Sequence, residues 1–323
     1  MISDEMTRIE EIRRRLEMPL EGIELGIGDD AAVLAPSRSS QVLSVDASVE
    51  GVHFERRFAP LGLLGRRALV ASASDLAAMG ARPRCALLSL TLPRTLDDPE
   101  LFELVDGIAA GARELALPIV GGNLSAGPCI EIHSTVIGEL DQTPLARRGA
   151  RPQDAIFVTG VVGSAALGLE LLLRGHADRP YAPPFVHAWS HPKAEFELGL
   201  RLHGLATAAV DVSDGLMADL THLCEASGVG ARIEVASLPL HEGFIAACDR
   251  EQLDPTHLAL SGGEQYTLLF TAPEAVLGVL PCTKVGVITV APEVVAVAAD
   301  GSNVPLEQRG YRHFTSAGPR SRA

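Results

Sequence analysis

Residues 85–123 read CALLSLTLPRTLDDPELFELVDGIAAGARELALPIVGGN, and three segments within them decide the fold class. CALLSLTL (85–92) is a short apolar run of strand type. From Asp98 to Leu115, the apolar positions Leu101, Leu104, Val105, Ile108, Ala112 and Leu115 recur at helical spacing and form one face. Asp97 and Asp98 suit the positive end of that helix, and Pro99 suits its first turn. PIVGGN (118–123) then returns to strand character. The same alternation extends to both sides. QVLSV (41–45) and a helix over 61–79 precede it, and a strand over 130–137 follows.

The polar stretch DQTPLARRGARPQD (141–154), rich in Pro, Gly and Arg, marks a domain boundary near Asp141. The second half continues with strand AIFVTG (155–160), a helix from Gly163, a proline-rich loop over 181–192 and a helix to His203. Strand AAVDV (208–212), a helix from Asp214 and strands over 265–271 and 284–290 complete it. The predicted class is α/β (α+β), with domains at 1–141 and 142–323. The length of 323 residues also predicts two domains, at about 150 residues each.

Basic residues number 27 and acidic residues 41, giving a net charge of −14. With no local basic run, nucleic acid and anionic membrane surfaces are excluded as partners. The N-terminal MISDEMTRIEEIRRRLEMPLEG alternates acids and arginines, so an amphipathic surface helix is expected in place of a leader. The most apolar region, 272–299, is interrupted by Glu274, Pro281, Lys284, Pro292 and Glu293 and falls short of the ~20 residues a bilayer requires. Five scattered cysteines without a C-x-x-C pair argue against a disulfide framework or structural zinc, and a reducing cytoplasm is the expected location.

The chemistry is carried by aspartates at the ends of apolar strands or in Gly- and Ser-rich turns. These are Asp29 and Asp30 in GIGDDAAVL, Asp46 in LSVDASVEG, Asp75 in ASASDLAAMG, and Asp211 and Asp214 in VDVSDGL. One aspartate in a turn is commonly a cap. Six in such settings supply the hard oxygen donors that Mg²⁺ requires, and Mg²⁺ in turn implies a phosphate-bearing substrate. Gly26, Gly28 and Ala31 match the G-x-G-x-x-A spacing of a dinucleotide loop. Asp29 and Asp30 within it would repel a bare pyrophosphate, so the loop makes electrostatic sense only with a cation interposed. A Walker A loop is absent, because the chain has no Gly-Lys dipeptide. Gly121-Gly122 and Gly262-Gly263 read either as tight turns or as ligand loops leading into Asn123 and Glu264. Arg147 and Arg148 read either as a solvated pair or as a phosphate clamp. His53 reads on pattern alone as a core or surface histidine, and no G-x-S-x-G elbow or Cys/His pairing supports a nucleophile.

The segments GIGDDAAVL, VDASVEGVHF, SDLAAMGARP, GGNLSAG, ARRGARPQD, DVSDGLMADLTHL, LSGGEQYTLLF and GYRHF occur in an order and at a spacing that resemble the thiamine-monophosphate kinases, over nearly the whole chain. These kinases belong to a superfamily of ATP-dependent enzymes similar to aminoimidazole-ribonucleotide synthetase. The resemblance implies an N-terminal α/β domain whose sheet pairs with that of a second subunit to form a barrel, and a C-terminal α+β domain. It implies phosphorylation of thiamine monophosphate to thiamine diphosphate, with ATP as co-substrate, several Mg²⁺ ions and direct transfer of the γ-phosphoryl group. By matching position, Asp30, Ser44, Asp46, Asp75, Asp211 and Asp214 would be metal ligands. Gly121, Gly122, Asn123, Arg147 and Ser213 would contact the nucleotide, and His53, Glu264 and Phe314 would face the thiamine substrate. The chain departs from the family pattern at Val45, Asn123 and Gln265, where Thr, Asp and Asp are usual, which leaves one cation with fewer oxygen donors. Two other readings stay open: a related enzyme of the superfamily acting on another small substrate, and a non-catalytic nucleotide-binding paralogue.

Overall fold

The computed structural model describes residues 4–306 and 310–311 of the 323. The first elements in chain order are α1 (Glu5–Arg15), β1 (Ile23–Leu25), β2 (Val33–Leu34), β3 (Ser40–Val49), α2 (Leu61–Ala78), β4 (Arg82–Pro93), α3 (Asp98–Glu114), β5 (Ile119–Gly127) and β6 (Glu131–Leu140). Next come β7 (Ala155–Val158), α4 (Ser164–Arg174), α5 (Pro183–Ser190), α6 (Phe196–Arg201), β8 (Ala208–Asp211) and α7 (Leu216–Ser227). The last are β9 (Gly230–Glu234), α8 (Phe244–Glu251), α9 (Pro255–Ser261), β10 (Leu268–Ala272), β11 (Thr283–Thr289) and β12 (Val294–Val297). No helix among the described residues is long and apolar enough to cross a membrane.

The chain is a two-domain α/β fold. One unit comprises Met1–Ala146 with Ser190–Asp211, and the other comprises Arg147–Trp189 with Val212–Ala323. The return of 190–211 to the first unit is invisible to a reading that divides the chain at its boundary peptide alone.

In the first unit the sheet order is β3-β6-β4-β5, antiparallel except for the parallel β4–β5 pair. Helix α3 begins as its sequence requires. The Asp97 side chain accepts the Glu100 N–H at 3.1 Å, and the Glu100 carboxylate returns to the Asp97 N–H at 3.1 Å, a reciprocal capping box. Helices α2 and α3 pack through glycine. A Cβ at Gly107 would overlap the Gly62 carbonyl oxygen, and one at Gly65 would overlap that of Leu104, so the helix backbones approach one another directly. Helix α2 is buried almost throughout, with Leu69, Val70, Ala73, Leu76 and Ala77 fully enclosed. Alternating burial along β6 puts Ile132, Ser134, Val136 and Gly138 on the helix side of the sheet. The opposite face keeps Leu43 at 65 %, Val45 at 70 % and Leu87 at 37 % exposure.

In the second unit the hydrogen-bonded strand order is β12-β9-β11-β7-β10. Neighbours are antiparallel except for the parallel β12–β9 pair. Strands β7 and β10 are buried along their whole length, and Phe157 stacks on Phe270 with ring centroids 5.1 Å apart. The stretch 181–192, expected as a loop, contains α5. Pro183 and Pro184 open this helix, where a missing N–H costs nothing, while Phe185 and Trp189, four residues apart, are buried together.

Candidate functional site

In the first unit the acidic centre is built where β3 passes α2. Ser44 and Asp46 pair across the sheet with the buried Val136 and Ser134, so both point to the helix side. There the Ser44 hydroxyl donates to Asp75 Oδ2, and the Ser72 hydroxyl reaches Asp46 Oδ2 at 3.5 Å while donating to the Ala68 carbonyl at 3.0 Å. Two residues further along the helix, Ser74 donates to Asp211 Oδ2 at 2.8 Å, and Asp211 closes the buried strand β8. Four of the six expected metal ligands, Ser44, Asp46, Asp75 and Asp211, are therefore held by or beside one stretch of α2. Ser72 and Ser74 are additions. In the sequence they stand three and one residues before Asp75, on a helix that also carries Arg66 and Arg67.

Asp46 is an exposed residue, but protein packed around its carboxyl pushes its pKa up, and the charge of Asp75 adds to this. The Ala47 N–H at 2.7 Å, His53 and Ser72 offset part of the rise. Two carboxylates that feel each other's charge favour a cation between them. Among the described residues no three His, Cys, Asp or Glu side chains stand together as a metal cage. Mg²⁺ does not require one, because it keeps several waters and takes one or two carboxylates together with substrate phosphates. The Asp46–Asp75 pair with its serine hydroxyls fits that donor set.

Asp30 lies in an exposed loop, its N–H bonded to Asp29 Oδ1 at 3.0 Å. No hydrogen bond among the described residues joins it to Asp46 or Asp75. Asn123 pairs with Ser89, which faces away from the buried Leu88 and Leu90. Asn123 and Val45 thus occupy the open face of the sheet, opposite Ser44 and Asp46. Gly121 and Gly122 lie inside β5 rather than in a turn, and a Cβ at Gly122 would overlap the Leu88 carbonyl oxygen. His53 follows β3, and its Nδ1 accepts the Val49 N–H at 3.0 Å, which puts the ring hydrogen of the neutral form on Nε2.

The second unit carries Arg147, Ser213, Asp214 and Glu264. Arg147 is exposed and forms no ion pair among the described residues. Ser213 and Asp214 sit in the loop that opens α7, and buried Asp219 fastens that loop. A single oxygen, Asp219 Oδ2, accepts the N–H groups of Ser213, Asp214 and Gly215, each at 3.1 Å. The helix N-terminus, an ordinary place for a phosphate, is thereby filled by the protein's own carboxylate. The spacing of Asp219 four residues beyond Gly215 was its available signal. Glu264 has a left-handed backbone, φ +62°, donates its N–H to the Ser213 carbonyl at 2.7 Å, and accepts the Trp189 indole N–H at 2.8 Å. No sequence pattern points to Trp189. Gln265 accepts the Ala165 N–H at the start of α4 at 3.1 Å. Phe314 lies outside the described residues. Burial pushes the Cys224 and Cys248 thiols up to about 11.

A two-unit α/β chain with a carboxylate pair at the edge of its first sheet belongs to a recognisable class. Residues 28–140 match the family model described as AIR synthase related protein, N-terminal domain. The thiamine-monophosphate kinase of Escherichia coli K12 is 37% identical over 310 residues, covering 91% of this chain and 93% of the relative. The chain belongs to the thiamine-monophosphate kinase family. Among solved structures, AaThiL complexed with AMPPCP and TMP aligns with a TM-score of 0.80 and 33% identity, covering 96% of this chain and 97% of that one. The thiamine-monophosphate kinase of Stenotrophomonas maltophilia K279a aligns with a TM-score of 0.82 and 34% identity, covering 94% and 99%.

Proposed function

We infer that this chain phosphorylates thiamine monophosphate, taking the γ-phosphoryl group of ATP and releasing thiamine diphosphate and ADP. The observation that carries this reading is the similarity along 96% of the chain to a kinase structure complexed with AMPPCP and TMP. The Asp46–Asp75 pair supports direct transfer, since phosphoryl transfer needs positioning and charge neutralisation more than a protein nucleophile.

Asp30, Ser44, Asp46, Asp75, Asp211 and Asp214 would hold Mg²⁺, which supplies neutralisation of the phosphate charge when bound. The work of the protein groups is positional. Ser44 holds Asp75, Ser72 steadies Asp46, and Ser74 fixes Asp211. Arg147, Ser213, Gly121, Gly122 and Asn123 are the proposed nucleotide contacts, with the exposed guanidinium of Arg147 suited to a phosphate. On the substrate side, Glu264 presents a fixed negative charge matched to the thiazolium cation of thiamine, together with His53 and Phe314.

A homodimer closed through the open face of the first sheet is part of this proposal, supported by the exposed Leu43, Val45 and Leu87. A cytoplasmic location is supported by five cysteines that are all free.

The test is to incubate purified protein with ATP, Mg²⁺ and thiamine monophosphate and separate the thiamine phosphates by chromatography. Thiamine diphosphate formation, with label from γ-³²P-ATP appearing in product and never on protein, is the expected result. Nucleotide binding without product would favour the non-catalytic paralogue.

A further inference from the structure

The second unit contains an open cleft of about 510 Å³ whose lining includes Arg174, His176, Arg179, Tyr181, Arg250 and Glu251. In a chain with 41 acidic and 27 basic residues, three arginines against one carboxylate invert the prevailing charge. The carboxylate is also spent internally. Glu251 is 6 % exposed, accepts the Tyr181 hydroxyl at 2.5 Å and His176 Nδ1 at 2.9 Å, and lies 3.5 Å from Arg174 Nη1. Arg174 Nη1 also donates to the Glu251 carbonyl at 2.7 Å, so this arginine is committed to the frame.

The frame fixes what is left. Tyr181 and His176, both pinned by Glu251, bracket Arg179. The Arg179 backbone is tied on both sides, its N–H to the His176 carbonyl at 3.2 Å and its carbonyl to the Ala182 N–H at 2.9 Å. Arg250 lies over the Tyr181 ring, 5.3 Å from its centroid. Neither Arg179 nor Arg250 has a carboxylate within ion-pair distance among the described residues. Two guanidinium groups at an open cleft, that of Arg250 placed over the Tyr181 ring and that of Arg179 carried on a tethered backbone, have the chemistry to clamp the oxygens of a phosphate group bidentately.

We propose that this cleft is a second anion site that binds a diphosphate group through Arg179 and Arg250, independently of the phosphotransfer centre. The diphosphate can belong to a free inorganic anion or to a nucleoside diphosphate. The probes are therefore inorganic pyrophosphate and ADP, titrated separately into the full chain with AMPPCP and Mg²⁺ present at saturation to fill the kinase site. Hydrogen exchange read by mass spectrometry is expected to show protection in peptides covering 174–182 and 249–252. Calorimetry is expected to give an affinity that falls with added salt and weakens at least tenfold in Arg179→Glu and in Arg250→Gln. Both residues are exposed and neither forms an ion pair among the described residues, so the melting temperature of each variant should stay close to the wild type and report intact folding. Tighter binding of ADP than of pyrophosphate would assign a nucleoside diphosphate, and equal binding the bare anion. Protection confined to other peptides, or equal affinity in wild type and both variants, would overturn the site while leaving the kinase reading untouched.

Discussion

The ionised Asp46 side chain carries a cost to the folded protein. Because surrounding protein and Asp75 raise its pKa, the native state holds that proton to higher pH than the unfolded chain does. Ionising Asp46 therefore subtracts stability above the raised value, and the loss vanishes below the ordinary aspartate range near pH 4. Asp46→Asn should melt higher than wild type at pH 7 without Mg²⁺, with the difference closing as the pH falls toward 4. The same variant should lose about 10²-fold or more in turnover, and a thermal-shift series beside a turnover assay reads both. Asp219 has the opposite character. Asp219→Ala would leave three N–H groups without their acceptor and should cost about 3 kcal/mol in chemical denaturation. The aspartates were legible as candidates because acids in apolar, Gly- and Ser-rich stretches are conspicuous, although Asp46 lies inside β3 and Asp75 inside α2 rather than at strand ends. Ser74, Trp189 and the role of Asp219 were not, because each takes its meaning from a hydrogen-bond partner that only folding supplies.

At the scale of elements, α3 is the segment where sequence and structure agree most closely, since apolar spacing, cap and first-turn proline all act locally. Helix α5 was misread because a pair of prolines signals a loop as readily as a helix start, and only the burial of Phe185 and Trp189 decides between them. The short elements β9, α8, α9 and β12 have too few residues to display a period, and their form is set by packing. The α2–α3 contact could not be read from periodicity either, because it rests on the absence of side chains. Gly107→Ala should destabilise the protein by about 3 kcal/mol or more, since the added methyl meets backbone that cannot rotate away. Gly111→Ala is the control. Its nearest neighbour would stand 3.4 Å away, an ordinary contact, so the better helix propensity of alanine should leave stability unchanged or raised by up to about 1 kcal/mol. Urea titration of the two variants distinguishes close approach from a general intolerance of alanine on that helix.

At the scale of the whole molecule, the open sheet face and the discontinuous first unit make separate predictions. If the open face is a subunit interface, wild type should sediment as a dimer at micromolar concentration, and Val45→Asp, which places a charge at the most exposed apolar position of that face, should shift it to monomer. The first unit takes α6 and β8 from residues 190–211. Gly199 of α6 packs so closely on α2 that a Cβ there would overlap the Ala77 carbonyl oxygen. A fragment ending at residue 146 would uncover that surface of α2 and should aggregate or show weak near-UV circular dichroism, whereas the full chain does not. The same discontinuity sets a timetable during synthesis. The strand that ends in Asp211 leaves the ribosome some 65 residues after residue 146, where the first segment of its unit ends, at the usual 5–20 residues per second a delay of several seconds. Through that interval the nascent chain carries Asp46 and Asp75 without the third carboxylate, so the acidic centre is the last part of the first unit to be completed.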